Sequence, residues 1–335
     1  MAAFKEVAKS AGVDEHRQPT PGMVVRRGES NIVRLIGAEG LRLDKAPPPA
    51  LTIEELKGLD LISNLASLGK ILGIAAPPVL DGSRYVKISG KILSPSVDLK
   101  FVGGRGNQAT VTVAVLGPRP VTLSVRPIQR RIPSTDALVW DSQQPFDLTA
   151  MLDRINTIWI PQANVVFTCR DTTPVLLDEA AVLKASGISN PEINLSNPDW
   201  TYTMDFVEEI LNANRDQSAN LTMFLVHQCA SIAAGGNSPK SAWGVTGKVY
   251  PVCLISDGCR VNSQETMAHE AGHFLGRRFN FGRNFDHLNP NPDSGGNPAF
   301  IDCLMKDGGS STTARIPYDD AVNKFNQPGA SYPWD

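Results

Sequence analysis

His269 and His273 stand four residues apart, with Glu270 directly after the first of them. On an α-helix, side chains at that spacing lie one above the other, about 6 Å apart. Two imidazoles can then reach one ion, and the flanking residues are suited to a helix. Asn262 or Ser263 can cap its start, Phe274 and Leu275 continue an apolar face, and Gly276 offers the left-handed conformation in which helices end. The competing reading is a surface helix with two solvated histidines, but Ala271, Gly272, Phe274 and Leu275 make a poor solvated face. The spacing points instead to half a metal site on one helical turn, with Glu270 placed to address an activated water.

Residues 269–276, HEAGHFLG, resemble the opening of the metzincin zinc-peptidase motif, H-E-x-x-H-x-x-G-x-x-H/D, which a Met-turn follows farther along the chain. The first eight positions match. Residues 303–309, CLMKDGG, resemble that turn, and Met305 would then be an apolar floor under the ion rather than a ligand. The departure is the third ligand, because the position three past Gly276 is Phe279, which has no donor atom. Of the five histidines, His16 lies in a polar stretch and His227 closes an apolar, strand-like run. His287, eight residues past the expected place, is the first candidate; Asp286 is the alternative, with Asp293 and Asp302 behind it. A loop over residues 277–284 would return the ligand to the ion, which is indifferent to spacing along the chain.

The resemblance implies an α+β, zincin-like catalytic domain over residues 121–335, with a mixed twisted sheet, an active-site helix, the Met-turn and a C-terminal helix. It also implies Zn²⁺ on His269, His273 and His287, with Glu270 as general base for hydrolysis of a protein or peptide substrate. The alternative is a catalytically silent zinc-containing binding module, or an effector acting through protein contacts, because the displaced ligand breaks the family pattern. Glu270 favours the enzyme, since a structural site has no use for a base and closes with a fourth protein ligand.

Periodicity supplies the elements around the motif. Alternation predicts a strand over 121–127, helical spacing of Leu148, Met151, Leu152, Ile155, Ile158 and Trp159 predicts a helix over 146–160, and a strand follows at 164–169. Helices are expected near 178–185 and 203–212, strands at 221–227 and 248–255, and a closing helix over 317–325 with Asp319 and Asp320 in its first turn. The last strand before the motif is expected at an antiparallel sheet edge, where Tyr250, Val252 and Leu254 would hold an extended substrate through the main chain.

A chain of 335 residues exceeds the usual single core, so two domains are expected. Residues 1–20 read as a flexible lead, and 21–120 as a β-sandwich carrying a helical insertion at about 52–75. Short strand-like runs at 23–26, 31–36, 84–93, 97–102 and 109–116, separated by Gly, Pro and Ser turns, resemble bacterial immunoglobulin-like domains. That resemblance implies a module that binds a partner or target surface. No cysteine precedes Cys169, which excludes a propeptide that blocks zinc with a thiolate. The net charge of −2 gives no electrostatic case for nucleic acid. No membrane span is expected, because Gly, Lys and Asp interrupt the apolar run at 52–74. Residues 1–18 lack the apolar core of a signal peptide, so the expectation is a cytoplasmic protein as synthesised, exported only by a signal-independent route.

Overall fold

The computed structural model describes residues 3–6, 12–15, 17–37, 40–72, 83–132, 135–142, 146–177, 213–226, 244–246, 251–257, 265–276, 304 and 315–326. The fold is α+β, with far more strand than helix. The chain divides into two compact units. One comprises Met1–Arg119, Asn156–Val166 and His287–Ala330; the other comprises Pro120–Ile155, Phe167–Asp286 and Ser331–Asp335.

The first unit opens with β1 (Ala3–Glu6), β2 (Val13–Asp14), β3 (Gly22–Arg26), β4 (Ser30–Ile36), β5 (Arg42–Leu43) and β6 (Leu51–Leu56). Helix α1 (Gly58–Leu72), β7 (Arg84–Gly90), β8 (Ser94–Val102) and β9 (Gln108–Leu116) follow. These strands form two sheets, ordered β1-β4-β7-β6 and β2-β3-β9-β8-β5. Their facing sides share one core that includes Val33, Leu35, Val86 and Ile88 from the first sheet and Met23, Val25, Val111 and Val113 from the second. The period of two along a strand then decides what the outer face of the first sheet carries. Ile32 and Tyr85, each one residue out of step with the core set, meet Leu61 and Leu65 of α1.

Two expectations for this region need correction. Residues 1–20 contain β1, paired with β4 from Ala3↔Ile36 to Glu6↔Val33, and β2, paired with β3; Phe4 is buried in the core. The segment expected as a helix from residue 52 begins with a strand, since β6 pairs with β7 from Leu51↔Gly90 to Leu56↔Tyr85. The reason lies in parity: Leu51 and Ile53 point into the inter-sheet core while Leu56 points at α1, so one short strand serves two apolar layers. The helix proper starts at Gly58.

The second unit is built on a sheet. Its strands are β10 (Arg119–Ile132), β11 (Ala137–Trp140), β12 (Val165–Asp171), β13 (Val175–Leu177), β14 (Leu221–Val226), β15 (Gly244–Thr246) and β16 (Val252–Ser256). Helix α2 (Leu148–Ala163) precedes β12 and helix α3 (Glu265–Gly276) follows β16. The order is β11-β10-β14-β16-β15, with β12 and β13 also pairing with β10. Strands β10, β14 and β16 run parallel, in register Leu123↔Leu221 and Thr222↔Val252, while β15 is antiparallel to β16. All six residues of β14 are buried, as expected of a central strand covered on both faces. Among the described residues no helix is long and apolar enough to cross a membrane.

Candidate metal-binding helix

Helix α3 carries the whole His-Glu-x-x-His pattern. Met267, Ala268, Ala271, Phe274 and Leu275 are all buried, at spacings of one, three and four that mark one helix face. That face packs on β15 and β16. Ala268, Ala271 and Gly272 are small and buried, which lets the helix backbone approach the sheet closely. His269 is turned away from this stripe and is partly exposed. His273 follows it after four residues of continuous helix, so the two positions share a face.

Glu270 lies next to the stripe and is only 4% exposed, an unusual degree of burial for a carboxylate. The start of the helix is tied to α2 by an ion pair between Arg154 and Glu265, with Glu265 in the first turn, where a carboxylate also suits the helix dipole. Just past β16, Asp257 is 6% exposed and accepts a hydrogen bond from Ser142 Oγ at 2.6 Å. Across the sheet, the buried pair Arg130 and Asp141 joins β10 to the end of β11 at 2.8 Å. Sequence reading misses all three contacts.

The remaining site expectations divide in two. His287, Asp286, Met305 and Tyr250 lie outside the described residues, as do Asp293, Asp302 and the side chain of His273. Val252 and Leu254 are described, and their place corrects the substrate-edge expectation. Both are fully buried in β16, whose main chain is paired with β14 on one side and β15 on the other. Paired on both sides at Cys253, Leu254 and Ile255, β16 offers no open edge there to an extended ligand. Among the described residues the antiparallel edge beside β16 is Gly244–Thr246, one strand earlier in the chain than expected.

The residues fit a zinc ion as far as they are described. Two histidine positions share a face of a regular helix, and imidazole nitrogen is an ordinary zinc donor. Among the described residues no group of three or more His, Cys, Asp or Glu side chains converges.

No family model and no curated protein matches the sequence. Among solved structures, the surface layer protein SbsC, domains 1–6, aligns at 12% identity with a TM-score of 0.22 over 42% of this chain and 17% of that one. A sialyltransferase from Photobacterium damsela aligns at 14% identity and TM-score 0.16, covering 62% and 36% of the two chains. The 2,6-sialyltransferase of Photobacterium sp. JT-ISH-224 aligns at 13% identity and TM-score 0.13, covering 64% and 36%. The chain thus spans well under half the length of each, and similarity at this level carries no inference about fold or activity.

Proposed function

We propose that this chain is a zinc-dependent endopeptidase of metzincin type, acting on a protein or peptide substrate. The observation that carries the reading is the composition of α3. Two histidines four positions apart share a helix face, and the glutamate between them is nearly buried while His269 stays accessible. Further support comes from the packing of that helix, through its buried stripe, on β15 and β16 of the sheet.

His269 and His273 would hold the ion, with His287 or Asp286 completing the set. Zinc, when bound, supplies Lewis-acid polarisation of a carbonyl and lowers the pKa of water. The chain's own part in the chemistry falls to Glu270. Its carboxylate accepts a proton from the attacking water and delivers it to the leaving amine as the peptide bond breaks. Burial limits the rotamers open to Glu270, so the base is held in place rather than recruited from a solvated ensemble.

The test is metal content and peptide cleavage measured side by side. Glu270→Ala should retain about one zinc per chain and lose at least about a hundredfold in cleavage of a diverse peptide library read by mass spectrometry. His287→Ala should lose zinc, and unchanged zinc in that variant would transfer the third donor to Asp286. Cleavage that persists in Glu270→Ala, or zinc held by the wild type with no cleavage at all, would sink the peptidase reading; the second outcome leaves a metal-bearing binding module.

A further inference from the structure

Residues 315–326 belong to the N-terminal sandwich's own unit, and one glycine of the sandwich makes room for them while a second makes room for the end of α2. A Cβ on Gly22 would lie 2.3 Å from Tyr318 Cγ, so the aromatic ring occupies space that no other residue at 22 would leave. A Cβ on Gly12 would meet the Pro161 carbonyl oxygen at 2.3 Å, and Gly12 has a positive φ of 78°. Around the ring, Arg17 stacks 4.9 Å from its centroid, and Ser96 Oγ lies 3.1 Å from the phenol oxygen. Asp14 accepts a hydrogen bond from the Tyr318 backbone at 3.1 Å and lies 3.8 Å from Arg315, and Arg17 also pairs with Asp319 at 3.0 Å.

Farther along, Phe325 packs edge-on against Trp159 with centroids 5.0 Å apart, and its carbonyl accepts from Arg119. The Asn326 amide donates to the carbonyls of Gly117, Ala163 and Asn164 at 3.0, 2.6 and 3.2 Å. Asn164 in turn donates to the Leu116 carbonyl at 2.9 Å. The sandwich, the end of α2 and the C-terminal segment therefore share one set of buried contacts.

We propose that the N-terminal sandwich is a permanent part of the enzyme whose binding partner is the chain's own C-terminal segment, residues 315–326, and that it is not shed on maturation. This concerns the regulation of the proposed peptidase and rests on that reading only in calling the chain an enzyme. The sandwich has its own inter-sheet core, but a detachable propeptide or a tethered targeting module would meet the rest of the chain only through a polar, surface-like interface. Here the contacts are of the kind made inside a domain: an aromatic ring in a glycine notch, a buried amide bridging three carbonyls, and buried aromatic rings in contact.

The full-length chain with a specific protease site inserted between Gly117 and Pro118, in the turn joining β9 to β10, tests this without reference to activity. After complete cleavage the two fragments should co-elute on size exclusion in native buffer and separate only in denaturant. Gly22→Ala in the nicked protein should speed release of the sandwich by about tenfold, the scale of one overpacked contact. Gly104→Ala, where a Cβ meets nothing within 4 Å, should leave the rate unchanged. Departure of the sandwich in native buffer, with the larger fragment still folded by circular dichroism, would overturn the proposal. Because co-elution is read on the nicked protein, zinc-free or zinc-loaded alike, a failed peptidase assay and a failed retention assay are separate results.

Discussion

Tyr318 joins ring packing, a phenol hydrogen bond and a titratable proton in one side chain. Burial is the largest influence on its phenol and pushes its pKa above the ordinary value, with the Ser96 contact and Arg17 opposing. The sign of the consequence follows from which state loses the proton first. Unfolded tyrosine ionises near pH 10 while the folded phenol holds its proton, so the contribution is complete below about pH 10 and is lost as pH rises beyond it. Wild-type stability should fall in alkaline buffer more steeply than that of Tyr318→Phe, measured as denaturant midpoints between about pH 9 and pH 11. Parallel curves for the two proteins would refute the assignment. Nothing in the local sequence around Tyr318 announces this role, because Gly22 and Arg17 lie about three hundred residues away along the chain.

At the scale of elements, α3 was legible and its surroundings were not. The histidine spacing, the small residues and the apolar stripe all act within a dozen residues, so periodicity alone outlines the helix, and the structure places it at Glu265–Gly276. Truncating Phe274, 3% exposed on the buried stripe, should cost about 3–5 kcal/mol in equilibrium denaturation and lower zinc affinity along with it. A stability change within about 0.5 kcal/mol would mean the stripe is not packed as described. Helix α2 illustrates a local signal with a non-local ending. It runs past the expected end at 160, through Pro161, and stops at Asn164, which has a φ of 51°. Asparagine tolerates the left-handed conformation, and its side-chain bond to Leu116 and the bond its carbonyl receives from Asn326 hold it there. Strand β6 is the counter-case, in which mixed apolar spacing suggested helix and pairing with β7 imposed a strand.

At the scale of the molecule, the chain builds each unit from separated stretches, Met1–Arg119 sharing its unit with Asn156–Val166 and His287–Ala330. Asn326 is the residue on which that arrangement can be tried most directly. Replacing it with alanine removes the amide donor from the carbonyls of Gly117 and Ala163, while that of Asn164 keeps the Arg119 N–H, at a site where Asn326 itself is 4% exposed. Thermal denaturation should register a loss of about 1–3 kcal/mol. An unchanged midpoint would show that water replaces the amide and that the C-terminal segment is held by packing alone.

Taken by itself, the sequence determined what depends on spacing within one element: the His-Glu-His helix, the alternating strands of the sandwich, the apolar run of β14 and the closing helical turn at 318–325. These follow from fixed backbone periods of 3.6 and 2.0, which act without knowledge of the rest of the chain. The tertiary structure alone decided which strand is the sheet edge and where residues 315–326 dock. It also decided that Val252 and Leu254 are core rather than substrate groove. An edge exists only relative to neighbours that pair or fail to pair, and a docking notch only where a distant glycine leaves room for a ring. Both are properties of contacts between residues far apart in the chain, and no local pattern encodes them.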